Sequence, residues 1–277
     1  MENLFELFNF GFFRNAFFAA LLTSITCGII GTYIVSRRIV FISGGITHAS
    51  FGGIGMGYYF GFDPIAGAIG FGILSALGIE FFTKRAGLRE DSAIAMLWSF
   101  GMALGVIFIF LTPGYAPNLM SYLFGNILTV SKGDLMYLLF LSVFVIIFFK
   151  IFYRMIIFVS FDEEFALTNN APVRLFNALL ISLVALTIVL NIRVVGIILV
   201  MSLLTIPQAI ANLFTKRFDY IMLYSIILGF LGSVAGLTLS YIYDIPSGAA
   251  IIFTLIVLFG IIKILFLISD KTKILVK

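Results

Sequence analysis

The chain holds one histidine, His48, within Phe41-Ile-Ser-Gly-Gly-Ile-Thr-His-Ala-Ser-Phe-Gly-Gly-Ile-Gly-Met-Gly57. An imidazole invites comparison with several chemistries. A serine nucleophile would have to be Ser43, but five residues of helix turn by about 500° and leave the two side chains about 140° apart. No Gly-x-Ser-Gly surrounds Ser43 either, which excludes an intramembrane serine protease of that type. A bis-histidine haem site would need a second chain. Metal ligation fits better, because imidazole is a borderline ligand for zinc, manganese and iron. A single imidazole does not close a site, so the other ligands must come from a dimer mate, from polar residues such as Thr47 and Ser50, or from backbone carbonyls. At helical spacing Gly44, His48, Gly52 and Gly55 share one face, a small-residue stripe that lets a neighbouring backbone approach. An ionisable group inside a span faces protein or a watery path. A neutral histidine bonded to a nearby carbonyl is the structural alternative, and the residues alone leave both open.

Other polar groups carry less chemistry. Glu80 precedes Lys84 by one helical turn and reads as an i,i+4 ion pair. Cys27, the only cysteine, lies in an apolar run and excludes an intrachain disulfide or a cysteine-based metal cluster. Trp98 and the phenylalanines read as lipid-facing or packing residues. Pro207, inside an apolar run, should kink its helix or free a carbonyl. No Gly-x-x-x-x-Gly-Lys-Ser/Thr run occurs, so no P-loop is expected. The longest internal polar stretch is Ser160-Phe-Asp-Glu-Glu-Phe-Ala-Leu-Thr-Asn-Asn-Ala-Pro-Val-Arg174. Ser160 and Glu163 have capping-box spacing, and Asn169, Asn170 and Pro172 form a stop. The segment predicts a helix of about two to three turns with Phe161 and Phe165 on one side. Such a helix suits either a groove on a partner protein or an ordinary interfacial loop.

The elements that position these groups are membrane spans. Of 277 residues, 62% are hydrophobic and 11% charged, with a mean hydropathy of +1.18. Soluble domains carry roughly 25% charged residues, so the chain is read as an all-α integral membrane protein. The net charge of +4 comes from short basic clusters between apolar runs, which argues against nucleic-acid binding and for membrane loops. Glu2 and Glu6 stand where a leader peptide would carry basic residues, so no cleavable leader is expected. Nine spans can be drawn, at 10–35, 43–62, 64–83, 92–112, 134–159, 175–191, 194–213, 219–241 and 247–268. Breaks fall at Asp63-Pro64, Lys84 to Asp91, Asn191-Ile192-Arg193 and Tyr243 to Pro246. The second span is glycine-rich and the sixth short, and a re-entrant path for either would reduce the count to eight. Tyr122 to Val130 is apolar but too short to cross, and reads as an outer or re-entrant helix. With the N-terminus outside and the C-terminus cytoplasmic, eleven basic residues fall on the inner side and only Arg14, Lys132 and Arg193 on the outer. Residues 1–277 form one transmembrane domain, with 160–174 as its cytoplasmic segment.

A series of short motifs runs along the chain: Arg37-Arg38 with Thr47-His48-Ala49, Arg89 to Ile94, Tyr122 to Gly125 with Val130-Ser131, and Phe161-Asp-Glu-Glu-Phe-Ala166. Val195 to Val200 with Leu204 to Pro207, and Ser240 with Asp244 to Gly248, complete it. In this order the motifs resemble the permeases of zinc, manganese and iron importers of the ATP-binding-cassette superfamily. The resemblance implies that His48 lies on a metal path and that Phe161, Asp162, Glu163, Glu164, Phe165 and Ala166 couple to a cytoplasmic ATPase subunit that hydrolyses ATP. It also implies an extracytoplasmic metal-binding protein, a second permease copy, a multi-pass place in a prokaryotic plasma membrane, and no cofactor beyond the transported divalent ion. The chain departs from the pattern at Gly44, where many members place an aspartate one turn before the histidine. A site without that hard oxygen leans towards zinc, then manganese or iron. Two alternatives stand beside this reading. An ion-coupled secondary transporter would carry several mid-span carboxylates, where only Glu80 comes close. An importer of a metal chelate is the other.

Overall fold

The structure, a computed structural model, describes residues 9–113, 125, 127–161, 163–168 and 172–275. The chain is an all-α integral membrane protein, with no strand among the described residues. Its helices are α1 (Gly11–Ser36), α2 (Val40–Phe60), α3 (Pro64–Lys84), α4 (Glu90–Leu111), α5 (Lys132–Phe161) and α6 (Glu163–Thr168). They continue as α7 (Val173–Val195), α8 (Ile197–Leu203), α9 (Ile206–Phe214), α10 (Phe218–Tyr243) and α11 (Ser247–Leu275).

Local chemistry sets the boundaries. Pro64 opens α3, where its missing N–H would have had no partner anyway, and Asp63 caps that end by accepting from the Ile65 N–H at 2.9 Å. α2 stops at Gly61, whose φ of 75° is a left-handed cap that glycine adopts without strain. Ser131 and Asp134 cap α5 reciprocally: the Ser131 hydroxyl donates to Asp134 Oδ2 at 2.6 Å, and the Asp134 N–H donates back to Ser131 Oγ at 3.2 Å. Just before that cap lies a 3-10 turn at Ile127–Thr129. It is the described part of the apolar stretch expected as an outer helix; residues 122–124 and 126 lie outside the described residues.

Eight stretches of the described residues are long and apolar enough to cross a bilayer: α1, α3, α4, α5, α7, α8 with α9, α10 and the Ser247–Ile268 part of α11. The sixth expected span is not short. α7 runs through Asn191, Ile192 and Arg193 because the buried Asn191 amide donates to the Thr187 carbonyl one turn back, at 2.7 Å. The interruption comes instead at Gly196, with φ 81° and ψ 166°, a conformation open essentially to glycine alone. α2 is a continuous 21-residue helix about 32 Å long, enough for the hydrocarbon core.

Packing separates two compact units. The first holds α1, the 3-10 turn, the start of α5 and α8–α11. In it α10 packs against both α1 and α11, and a Cβ on Gly28 would lie 3.0 Å from the Ile226 backbone nitrogen. The second holds α2, α3, α4, the rest of α5, α6 and nearly all of α7. There α2 packs against both α3 and α4.

Candidate functional site

The glycines of α2 serve two neighbours. Towards α4, a Cβ on Gly52 would stand 2.9 Å from the Gly101 carbonyl oxygen, and one on Gly55 would stand 2.6 Å from that of Gly105. Towards α3, a Cβ on Gly53 would collide with the Gly67 carbonyl, and one on Gly57 would lie 2.6 Å from Pro64 Cα. Backbones therefore touch on both sides, the close approach that small residues permit between membrane helices. His48 sits in this seam, half-buried on α2.

The imidazole of His48 lies flat on the indole of Trp98 in α4, with ring centroids 4.1 Å apart and planes at 4°. Its Nδ1 is buried and has no hydrogen-bond partner among the described residues. A packing histidine would be expected to tie that nitrogen to a carbonyl; this one does not. Trp98, read from the sequence as lipid-facing or packing, is the residue that orients the ring. Its signal is visible only in three dimensions, since α2 and α4 are far apart in sequence. Thr47 and Ser50, the candidate oxygen donors, are buried with their hydroxyls turned onto their own helix, donating to the Ser43 carbonyl at 2.5 Å and the Thr47 carbonyl at 2.7 Å. No group of three or more histidine, cysteine, aspartate or glutamate side chains gathers among the described residues.

Pro207 does break its span. α8 ends at Leu203 and α9 begins at Ile206, with Pro207 in its first turn. Lacking an N–H, Pro207 cannot pay back the Leu203 carbonyl four residues earlier. Gln208 replaces that donor: its Nε2 donates to Leu203 O at 3.2 Å and to Cys27 O of α1 at 2.9 Å. The side chain is fully buried, and its Oε1 meets no donor among the described residues. Gly31 clears the space, since a Cβ there would lie 2.6 Å from the Leu204 carbonyl oxygen. The sequence reading named the proline and missed the glutamine beside it.

The 160–174 segment differs from its expected form. α5 continues to Phe161, so Ser160 lies inside a helix and not at an N-cap; its hydroxyl is buried with no partner among the described residues. The described part of α6 is six residues, about one and two-thirds turns, of the two to three expected. Phe161 and Phe165 are 62% and 49% exposed, Glu164 is exposed, and Ala166 is buried. The Phe165 ring packs 5.6 Å from that of Phe158. Arg37 donates from its guanidinium to the Val159 carbonyl and fixes the end of α5. Asp162, Asn169 and Asn170 lie outside the described residues, as does the Glu163 side chain. Glu80 makes the expected ion pair with Lys84, at 3.4 Å.

Two cavities sort the chain's loops. In the first unit, one of about 680 Å³ is lined by Phe12, Gly125, Ile198 and Asp244, among others. The span order assigns all four to the outer side. In the second unit, one of about 710 Å³ gathers Lys84, Arg85, Leu167 and Arg174, all assigned to the inner side.

The ABC 3 transport family matches residues 9–266. The manganese transport system membrane protein MntC of Halalkalibacterium halodurans is 34% identical over 256 residues, which cover 92% of this chain and 88% of the relative. An uncharacterized membrane protein of Synechocystis sp. is 40% identical over 252 residues, covering 91% and 90%. PsaBC from Streptococcus pneumoniae, solved in complex with Fab, superposes with a TM-score of 0.83 at 30% identity over 94% of this chain and 95% of that chain. With agreement running from the first span into the last, the chain belongs to the ABC 3 transport family, as a membrane permease of its metal transporters.

Proposed function

We propose that this permease carries a divalent transition-metal ion inward past His48, driven by ATP hydrolysed on a partner subunit. The observation that carries the reading is the state of His48: the chain's only imidazole, stacked on Trp98 within a helix seam, its Nδ1 buried with no partner among the described residues. A ring held in place with nitrogen capacity to spare is suited to transient ligation of a passing ion. Residues 1–277 act as one transmembrane domain, and no nucleotide site of its own is assigned to it. A second copy of the chain would supply the ligands that one histidine lacks. An extracytoplasmic binding protein would deliver the ion, and the exposed Phe161 and Phe165 would engage a cytoplasmic ATPase subunit. The N-outside orientation is supported by the basic-residue asymmetry; the gathering of Phe12 with Asp244, and of Lys84 with Arg174, supports the alternation of the spans. Labelling of a cysteine at position 87 from outside would overturn it.

Manganese is supported by the name of the Halalkalibacterium relative. Zinc is favoured by Gly44, which offers no carboxylate beside the imidazole. Uptake by proteoliposomes of the permease–ATPase complex tests both. His48→Ala should lower metal uptake at least about tenfold in an intact complex, since loss of even an outer-shell partner of a ligand costs about that much; undiminished uptake would return His48 to packing. Gly44→Asp adds oxygen one turn away and should raise the manganese-to-zinc uptake ratio. An unchanged ratio removes the support for zinc. Phe165→Asp should leave the protein inserted while ATP hydrolysis no longer drives uptake, and normal coupling in that variant would exclude α6 from the contact.

A further inference from the structure

The C-terminal end of α3 and the N-terminal end of α7, with the short α6, line an open cavity of about 710 Å³ within the second unit. Lys84, Arg85 and Arg174 line it, against Glu80 alone as carboxylate, a surplus of two positive charges among the lining residues. Glu80 is already engaged by Lys84. Neither Arg85 nor Arg174 meets a carboxylate among the described residues; Arg85 lies over the Phe81 ring, 5.9 Å from its centroid. Arg174 stands in the first turn of α7, where the helix dipole is itself positive, so its charge adds to that field instead of being offset by it. The cavity favours an anion.

Its walls say which kind. Leu77, Phe81 and Arg85 recur every fourth residue and occupy one face of the α3 end, rising about 12 Å from charge to hydrocarbon. Phe81 is 52% exposed, and Leu167 of α6, on the other wall, is 53% exposed. A small anion or an acidic protein loop has no use for such an apolar wall. A molecule with a charged head and an apolar tail uses both ends of it. We propose that this cavity binds an anionic phospholipid of the membrane, its phosphate held by Lys84, Arg85 and Arg174 and its acyl chain lying along Leu77 and Phe81. Because Leu167 belongs to α6, the bound lipid steadies that helix. This consequence rests on α6 being the coupling element, whereas the binding itself does not.

The test uses the full-length permease purified in detergent, with lipid retention read by native mass spectrometry. Phosphatidylglycerol should be retained about tenfold or more over phosphatidylcholine of the same chains. The Arg85→Gln/Arg174→Gln double variant spares the Lys84–Glu80 pair and changes only exposed side chains. It should lose about tenfold to thirtyfold in phosphatidylglycerol retention. Equal retention of the two lipids, or unchanged retention in the double variant, overturns the proposal. Displacement of the lipid by millimolar inorganic phosphate would make the cavity a plain anion site. Intact lipid retention with loss of ATPase binding would make it a protein-docking surface. None of these readouts involves metal uptake, so failure here and failure of the transport reading remain distinguishable.

Discussion

α2 and the α8–α9 pair both bring polar groups into apolar surroundings, and they do so by opposite means. α2 is unbroken; its polar group is a side chain, His48, and its glycines draw neighbouring backbones against it on two sides. α8–α9 is interrupted; its polar group is the backbone, freed by Pro207 and secured by the amide of Gln208. The first arrangement is vulnerable to added volume, the second to lost hydrogen bonds. Volume cannot be relieved where the obstacle is backbone, whereas an unpaired carbonyl costs a bounded amount.

The comparison predicts a ranking of substitutions. Gly53→Leu should have the largest effect, because its Cβ would overlap the Gly67 carbonyl and no rotamer avoids it. A loss of about 3 kcal/mol or more is expected, at the upper end of overpacking. Thermal unfolding in detergent measures it, with Gly70→Leu as control, since nothing lies within 4 Å of a Cβ there. Similar melting of the two variants would mean that the α2 seam is not rigid. Gln208→Leu keeps the volume but removes the donor to Leu203 and Cys27, and should cost about 1–3 kcal/mol by the same measurement. Wild-type stability in that variant would show that the break needs no side-chain repair, collapsing the contrast drawn here. Glu80→Gln should matter least, within about 0.5 kcal/mol, because an i,i+4 pair with a half-exposed lysine contributes little.

Much of this contrast was readable along the chain. The glycine stripe, the lone histidine and the in-span proline are local features, and the helices around them keep the expected boundaries to within a few residues, as Pro64–Lys84 does for the span 64–83. What the sequence concealed depends on contacts between distant elements. Trp98 is one aromatic among many until α4 lays it on His48. Gln208 is an ordinary polar residue until Pro207 leaves a carbonyl within its reach. Asn191 resembled a break because its polarity is plain in the sequence, while its hydrogen bond to Thr187 is not. Ser160 had capping spacing, yet α5 simply continued past it, since an apolar helix already under way is extended more easily than a new one is started.

That continuation settles a question of depth. At 1.5 Å per residue, the 30 residues of α5 span about 45 Å, against about 32 Å for α3. The shorter helix matches the hydrocarbon alone; the longer one matches the bilayer with both headgroup layers. Even a tilt of about 40° would leave α5 reaching beyond the hydrocarbon. The break in helical geometry at Phe152, with φ −99° and ψ 15°, re-aims the nine residues after it, so the end-to-end span falls short of the length along the helix. Two exposed phenylalanines, Phe161 and Phe165, stand at and just past the far end of this long helix. Left wet, two such rings would be a liability to an isolated permease, and a protein partner covering them would remove it.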